Sequence, residues 1–381
     1  SKLQMMKKLY FDISATTPLD PIVFEYMTKV EKNGFGNGSS IHTFGQKSKA
    51  YIETARHEIA MAINAEVGEI IFTSGGSESN NMIINGILKK GDHFILSSYE
   101  HPSIDWVITE LPKLGIEIDA IKPNRQGTIN INDVKKKIKP NTRLISIMLA
   151  NNELGSINNL KEIAGLINKK NILIHSDAVQ ALGKINIDVK DLNVDLLSFS
   201  AHKLYGPKGM GALYIKSGTN ISSLIKGGGQ ENNLRSGTEN VSGIAGFGKA
   251  IELATQNLKS NTIKIRKLET LFYQIINQNT IQYKRNVIEN LPGVINITFN
   301  NTKGQILMMA LDLLGIAISH GSACSSGSIK ASKILTECGF TEEEALNTVR
   351  ISIGKIHSEG DIEYLCKALI PIIKKYQGVD N

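Results

Sequence analysis

Short apolar runs alternate with longer amphipathic stretches from about Ile70 to Lys216 of this 381-residue chain. Runs of this kind are typical of strands buried on both faces of a parallel sheet, and the stretches between them are typical of helices. The predicted strands are residues 70–73, 94–97, 144–149, 171–175 and 194–199. The sequence therefore predicts an α/β protein with a mostly parallel central sheet flanked by helices.

The apolar pattern changes after about Gly243, where longer helical stretches follow. We expect a large domain over residues 14–256 and a smaller α+β domain formed by residues 1–13 and 257–381. The most apolar stretch, residues 306–318, falls short of the roughly 20 residues that span a bilayer. Since it also contains Asp312, we predict a core helix there and no membrane association.

A lysine and an aspartate mark the ends of two predicted strands. Lys203 lies in a Ser-Ala-His-Lys-Leu-Tyr-Gly-Pro run, 26 residues after Asp177. Pyridoxal phosphate needs a lysine amine for its Schiff base and an acid that keeps its pyridine nitrogen protonated. Strand carboxyl ends meet at one edge of a sheet, so we expect the two side chains to converge on one crevice. The alternative is that Lys203 is an ordinary surface loop residue.

A glycine turn followed by a helix predicts a phosphate site. Gly75, Gly76 and Ser77 lie between the strand at 70–73 and a helical stretch at about 78–89. Glycines allow a close backbone approach to an anion, and the positive end of the helix dipole faces it. Ser200 and His202, beside Lys203, are further phosphate ligands in this hypothesis. By itself the turn indicates only a helix cap.

Three more polar residues follow or interrupt apolar segments. His101 comes after the strand at 94–97 and would be an acid/base, although a lone loop histidine is more often a solvated or capping residue. Asn152 follows the strand at 144–149. Arg350 offers a planar fork that grips the carboxylate of an amino-acid substrate; the alternative is an ordinary, partly buried ion pair.

The chain has three cysteines, too few to suggest a disulfide framework, and we expect a reducing cytoplasm as its location. Cys324 lies in a loop of small residues, where packing does not explain a thiol. Cys338 and Cys366 lie in apolar helical surroundings and are expected to fill space. No further His/Cys cluster accompanies His320 and Cys324, so no metal site is predicted.

The net charge of +7 raises the question of nucleic-acid binding. The lysines are scattered in pairs and one triplet, residues 135–137, without interleaved aromatic residues. That distribution argues against direct nucleic-acid binding. A basic surface would attract an acidic acceptor protein instead.

Ordered motifs along nearly the whole chain carry a family resemblance. They are the segments at 11–18, 36–42, 74–79, 100–102, 151–153, 177–180, 198–209, 227–231, 235–238, 321–324 and Arg350. On these motifs the chain resembles the cysteine desulfurases of the NifS/IscS type, in the class V aminotransferase group of fold-type I pyridoxal phosphate enzymes.

The resemblance implies a role for each matching residue. Lys203 would carry the Schiff base, Asp177 would pair with the pyridinium nitrogen, Gln180 would bond the phenolic oxygen, and His101 would stack on the ring and shuttle protons. The implied phosphate ligands are Gly76, Ser77, Ser200, His202 and, from the neighbouring subunit of a homodimer, Thr238. The implied substrate ligands are Asn152, which also borders the cofactor, and Arg350.

The implied reaction converts L-cysteine to L-alanine and leaves the sulfur on Cys324 as a persulfide. An iron-sulfur scaffold or a tRNA-thiolation factor would accept it, for iron-sulfur clusters or tRNA and cofactor thiolation. The sequence departs from the family at His320, where Ser or Gly is common, and in its short carboxyl-terminal segment, which leaves the acceptor open. Two alternatives stand beside this hypothesis: a selenocysteine lyase or other amino-acid lyase, and a non-catalytic sulfur-carrier or assembly protein.

Overall fold

A seven-stranded sheet and two smaller sheets organise the computed structural model, which describes residues 7–167, 171–321 and 330–379. Within those ranges the strands are β1 (Leu9–Tyr10), β2 (Ile70–Thr73), β3 (His93–Ser97), β4 (Glu117–Ile121), β5 (Thr142–Ser146), β6 (Leu173–Asp177), β7 (Leu196–Ser200), β8 (Gly211–Ile215), β9 (Tyr283–Arg285), β10 (Val294–Phe299), β11 (Ile316–Ala317) and β12 (Thr348–Ser352). The helices are α1 (Pro21–Asn33), α2 (Thr43–Ala62), α3 (Gly76–Ile87), α4 (Pro102–Asp105), α5 (Val107–Glu110), α6 (Ile131–Lys137), α7 (Leu160–Leu166), α8 (Val189–Leu192), α9 (Val241–Gln256), α10 (Leu258–Asn277), α11 (Gly304–Leu313), α12 (Lys333–Glu337), α13 (Glu342–Leu346) and α14 (Glu359–Gln377).

The large sheet has the strand order β2-β8-β7-β6-β5-β3-β4. All of its pairings are parallel except those of β8, which runs antiparallel to both β2 and β7. The prediction of a mostly parallel sheet is therefore confirmed. Since β2 is antiparallel to β8, it points the same way as the parallel strands. The carboxyl ends of β2, β3, β5, β6 and β7 consequently meet at one edge.

Neighbouring residues on each central strand pack on opposite faces of the sheet. Ile95 and Ile145 contribute to the core on one face, while Phe94 and Leu144 contribute to the core on the other. This period of two explains why the strands are apolar throughout: helices cover both faces. The sheet edge that remains open is the one where polar residues follow the strands.

The smaller sheets lie in the terminal parts of the chain. β10 pairs antiparallel with β9 and β12, and β1 pairs in parallel with β11. A separate apolar core includes Phe11 and Ile297 together with buried residues of α10 and α14. The change from α9 to α10 falls at Asn257, near the expected division after residue 256. The domain limits themselves stay a prediction.

The prediction of a helix over residues 306–318 is wrong in its second half. α11 ends at Leu313, and Gly315, with φ of 79°, turns the chain into β11. Glycine adopts this left-handed conformation at little cost, which is the physical reason for the break. Leu313 is 80% exposed, so the helix is only half buried. Over the described ranges, no helix is both long and apolar enough to cross a membrane.

Candidate active site

A cavity of about 440 Å³ opens at the carboxyl edge of the large sheet. It is lined by ten of the predicted site residues: Gly76, Ser77, His101, Asn152, Asp177, Gln180, Ser200, His202, Lys203 and Arg350. Its size falls within the range of about 300–1,000 Å³ found for small-molecule sites. The structure therefore brings together residues that are far apart in the sequence, and we call this cavity the crevice.

Lys203 ends a short 3₁₀ turn that directly follows β7. Its Nζ donates hydrogen bonds to the backbone carbonyls of Ser14, at 2.8 Å, and Ala15, at 2.5 Å. Burial, with a smaller effect from the positive charge of Arg350, lowers the pKa of the Lys203 amine to about 8. An amine that loses its proton this readily is a competent nucleophile toward an aldehyde.

Asp177 is the last residue of β6 and only 6% exposed. Its Oδ2 accepts from Asn80 Nδ2 at 3.0 Å, and its Oδ1 accepts from the backbone N–H of Val179 at 3.0 Å. Each carboxylate oxygen keeps a lone pair for a further donor. Asp177 can therefore receive a hydrogen bond from a protonated ring nitrogen in the crevice.

His101 joins Asp177 through a chain of hydrogen bonds. Its Nδ1 lies 2.7 Å from Ser103 Oγ and accepts from the Ser103 backbone N–H at 3.1 Å. Asn80 Nδ2 donates to both Ser103 Oγ, at 2.9 Å, and Asp177. Because Nδ1 accepts a backbone hydrogen, the neutral ring carries its proton on Nε2. Burial and the charge of Lys203 lower the pKa of His101, whereas Asp177 opposes that shift.

The glycine turn forms the other end of the crevice. Gly75 precedes α3, and no side chain in the described part of the protein caps this helix end. A Cβ on Gly76 would lie 2.7 Å from Val179 Cγ2, so only glycine fits here without displacement. His202 is held by Thr16 Oγ1 at 3.0 Å, and burial lowers its pKa to about 4. The open N–H groups and the neutral His202 can serve as donors to an anion.

A second cavity of about 360 Å³ adjoins the crevice at this end and shares Gly76, Ser77, Ser200 and His202 with it. Thr238 is not brought to the crevice. It is exposed and borders a different cavity together with Ser74 and Gly209. Ser74 and Gly209 also line the second cavity, so within one chain Thr238 lies in a neighbouring cavity and does not line the crevice with the other predicted phosphate ligands.

Arg350 lies in β12 and reaches the crevice from the side opposite the large sheet. Its Nη2 pairs with Asp12 Oδ1 at 2.6 Å, and its Nη1 donates to the backbone carbonyl of Asn152 at 2.7 Å. Among the residues that the structure describes, its buried Nε and the buried Oδ1 of Asn152 have no hydrogen-bond partner. Unpaired buried polar groups are costly, so their presence in a cavity indicates a polar ligand.

The residues present fit pyridoxal phosphate. The crevice has an amine of lowered pKa, a buried carboxylate for a ring nitrogen, and an uncapped helix end for a phosphate. The glycine at position 76 leaves space beside Val179 that a Cβ would fill. The unpaired polar atoms of Asn152 and Arg350 remain for a substrate. Each part matches one chemical group of the cofactor or of an amino acid.

Cys324 lies outside the described residues. The structure instead shows the chain that leads to it: Ser319 exchanges backbone hydrogen bonds with Arg350, and Gly321 lines the crevice. The other two cysteines, Cys338 and Cys366, are buried, and burial raises the pKa of both thiols to about 12. Neither thiol ionises at neutral pH, which agrees with their expected role in packing.

Sequence reasoning missed several residues at the site: Asp12, Ser14, Asn80, Ser103 and Lys184. Asn80 follows Ser77 by three positions on α3, so helical spacing could have placed it on the same face. Ser14 contributes a backbone carbonyl, which no side-chain motif reveals. Asp12 lies in the family motif at 11–18, but its pairing with Arg350 is recognisable only once β12 is known to lie beside it.

Comparison with known proteins agrees with this geometry. Residues 9–365 match the family model "Aminotransferase class-V". The cysteine desulfurase IscS of Clostridium botulinum is 44% identical over 379 residues, which cover 97% of this chain and 96% of the relative.

Two solved structures are also similar. A NifS-like protein superposes with a TM-score of 0.90 at 32% identity, covering 97% of this chain and all of the other. A protein described as SspA in complex with cysteine has a TM-score of 0.81 at 37% identity, covering 91% of this chain and 99% of its own. Fold, cofactor chemistry and sequence therefore agree. The chain belongs to the class V aminotransferase family and, within it, to the cysteine desulfurases of the NifS/IscS type.

Proposed function

We propose that this protein converts L-cysteine to L-alanine and passes the sulfur to Cys324. The observation that carries the proposal is the convergence of Lys203, Asp177, His101 and Arg350 on one crevice whose wall includes Gly321. Cys324 follows Gly321 by three positions in the sequence. The bond between the substrate's β-carbon and sulfur breaks, and a sulfur–sulfur bond forms at Cys324. Alanine and a persulfide contain all atoms of cysteine and the thiol, so no oxidant is needed.

Pyridoxal phosphate supplies an electron sink that permits loss of the substrate's α-proton. Lys203 would hold it through its amine, Asp177 through the ring nitrogen and Gln180 through the phenolic oxygen. Gly76, Ser77, Ser200 and His202 would bind its phosphate. These assignments follow from the donors and acceptors that each residue offers.

Arg350 and Asn152 would bind the substrate carboxylate. The Arg350 guanidinium has five N–H donors, of which Asp12 and the Asn152 carbonyl engage two. The remaining donors, including the unpaired Nε, suit a second carboxylate. These hydrogen bonds would offset the free energy lost when the substrate carboxylate leaves water, and the ion pair between Arg350 and Asp12 would stay intact.

His101 and Lys203 would move protons. Lys203, whose pKa is lowered to about 8, can accept a proton near neutral pH and return it. The lowered pKa of His101 favours its neutral form, in which the hydrogen bond from the Ser103 backbone to Nδ1 leaves the proton on Nε2; His101 would therefore take part in this exchange as a donor at Nε2. The negative charge of Asp177, which is linked to His101 through Asn80 and Ser103, would stabilise the protonated imidazole ring of His101.

We also propose a homodimer in which Thr238 completes the phosphate site of the second subunit. Thr238 is exposed and does not line its own crevice. A cluster of exposed apolar side chains supports the proposal: Phe35 is 70% exposed, Ile41 91% and Phe44 55%, and the two phenyl rings are 5.3 Å apart. Apolar groups of this size at a surface are typical of an interface.

The sulfur would be passed on in the cytoplasm to an acidic acceptor protein, which the positive net charge of the chain favours. Supply of iron-sulfur clusters is the use we propose first, because relatives that are 43–44% identical to the chain carry the name IscS. Thiolation of tRNA or of a cofactor is the second.

The experiment measures sulfide and alanine released from L-cysteine in the presence of a reductant, together with the visible absorption spectrum. Wild type, Cys324→Ala and the matched control Cys338→Ala are compared. We expect a yellow wild type and a yellow control that release equal amounts of both products. Cys324→Ala should stay yellow and lose nearly all turnover.

Full activity of Cys324→Ala would overturn the persulfide step and favour a lyase that releases sulfur directly. A yellow wild type without turnover would favour the non-catalytic carrier. Absence of the visible band in wild type would contradict the cofactor assignment itself.

A further inference from the structure

A second lysine, Lys184, lies next to the crevice without lining it. Lys184 lies in the turn after β6, four residues beyond Gln180, and borders a small cavity of about 50 Å³ that Lys203 also lines. Its Nζ donates one hydrogen bond, to Gln180 Oε1 at 3.0 Å. Within the described ranges, no carboxylate lies within 4.0 Å of this amine. Lys184 is half-buried, and a cation held there without a counter-ion is costly, so the position requires an explanation.

The charges around Lys184 do not explain its position, because they repel its positive charge. Burial, with smaller effects from the positive charges of Lys203 and Arg350, lowers the pKa of Lys184 to about 7. A neutral amine still has N–H donors, so the bond to Gln180 persists whether or not Lys184 is protonated.

The partners of Gln180 show what this bond accomplishes. Gln180 Nε2 donates to the backbone carbonyl of Ser14 at 2.9 Å, while Oε1 accepts from Lys184. The backbone carbonyl of Ser14 can only accept a hydrogen bond, so this carbonyl and the Lys184 amine together fix which end of the Gln180 amide carries nitrogen and which carries oxygen. One Nε2 hydrogen then remains for the crevice, which Gln180 lines. The same Ser14 carbonyl also accepts from Lys203, so it is not reserved for Gln180.

We propose that Lys184 is a positioning residue that anchors Gln180 Oε1 and thereby directs Gln180 Nε2 as a hydrogen-bond donor into the crevice. The inference rests on the proposed role of Gln180 at the cofactor's phenolic oxygen. With one anchor the amide can swing about the bond to Ser14; with two it cannot. Lys184 therefore acts on the cofactor through Gln180 and does not itself need to contact it.

The test follows the visible absorption band of the protein loaded with pyridoxal phosphate as a function of pH. A donor to the phenolic oxygen stabilises its anion, so loss of the donor raises the midpoint of the titration. We expect Lys184→Met to raise the midpoint by roughly one pH unit, a tenfold change in proton affinity. Gln180→Leu should give an upward shift of at least that size. Lys184→Arg, which keeps a donor, should restore most of the wild-type value, and the exposed control Lys226→Met should leave it unchanged.

A double-mutant cycle separates positioning from a direct effect of charge. If Lys184 acts through Gln180, Lys184→Met shifts the midpoint by less than a third as much in the Gln180→Leu background. Equal shifts in the two backgrounds would mean that Lys184 acts by charge alone, and the proposal would be wrong. An unchanged midpoint in the single variant would also refute it.

The result does not depend on cysteine turnover, so failure of the desulfurase reaction would be seen separately. A wild type without a visible band would remove the cofactor and with it the basis of this inference. If Lys184→Met does not fold, as judged by circular dichroism, Lys184→Ala takes its place in the cycle with the same expected shifts.

Discussion

The two walls of the crevice differ in their charged groups: one wall has bases whose pKa values are lowered, and the other has a cation paired with a carboxylate. On the wall formed by the large sheet, burial lowers the pKa values of His101, His202 and Lys203, so its bases give up their protons readily. On the facing wall, the cation of Arg350 is paired with Asp12 at 2.6 Å. The first arrangement suits covalent attachment and proton transfer, and the second suits recognition of a fixed charge. We therefore propose that one wall performs the chemistry and that the other holds the substrate.

The largest expected effect comes from substituting Lys203, on the wall formed by the large sheet. Lys203→Ala removes the amine, and Lys203→Arg keeps a positive charge on a group that does not attack aldehydes. We expect both variants to lower kcat by roughly 10³-fold or more, because a catalytic group is lost outright. Alanine production from L-cysteine measures the loss.

The matched control for that prediction is Lys226→Ala, since Lys226 is exposed and does not line the crevice. Borohydride reduction of the wild type followed by peptide mass analysis should place the cofactor on Lys203 and leave Lys184 unmodified. Modification of Lys184 instead would reverse the roles given to the two lysines.

A smaller effect is expected from the facing wall. Arg350→Lys keeps the charge but loses the fork that serves Asp12, the Asn152 carbonyl and a substrate carboxylate together. We expect KM for L-cysteine to rise about 10- to 100-fold, as for the loss of one or two charge-assisted hydrogen bonds, with a smaller change in kcat. Steady-state kinetics separate the two parameters.

Arg143→Lys is the control for this prediction, because Arg143 lies near the amino end of β5, whereas the crevice lies at the carboxyl end. Melting temperatures of both variants show whether the ion pair with Asp12 also stabilises the fold. A fall in kcat at constant KM would mean that Arg350 acts on the reaction rather than on binding, and the contrast between the walls would fail.

The sheet wall was predictable from the sequence, whereas the facing wall was not fully so. Asp177 and Lys203 each come directly after an apolar run, and parallel strands bring such ends together. The same logic placed His101 and the glycine turn. Within the large sheet itself one feature was not predictable: an apolar run does not encode its direction, so nothing in the sequence revealed that β8 runs antiparallel.

Contacts between distant segments account for the rest. The partnership of Arg350 with Asp12 joins residues 338 positions apart, and the link from His101 to Asp177 passes through Asn80 and Ser103 on two helices. Such pairs depend on how elements pack rather than on local pattern. β5 ends at Ser146 instead of residue 149 for a similar reason: Leu149 bonds to the carbonyl of Asp177 outside the regular ladder.

The smallest expected effect concerns the stability of the cofactor-free protein, and it tests whether the sheet wall is strained by its buried amine. The pKa of Lys203 is about 8 in the folded protein and 10.5 ordinarily. Between these values the unfolded chain binds more protons than the folded one, so stability rises with pH. Below pH 8 the amine is protonated in both states, and the full destabilisation persists.

Lys203→Met lacks this dependence but also loses the hydrogen bonds to Ser14 and Ala15, so its absolute melting temperature is not the test. The melting temperature of wild type minus that of Lys203→Met should increase between pH 8 and pH 10.5, on the order of 2 °C after solvent screening. The exposed Lys226→Met should show no such trend against wild type. A flat difference for Lys203→Met would mean that the amine keeps its ordinary pKa, and the two walls would then not differ in how they treat charge.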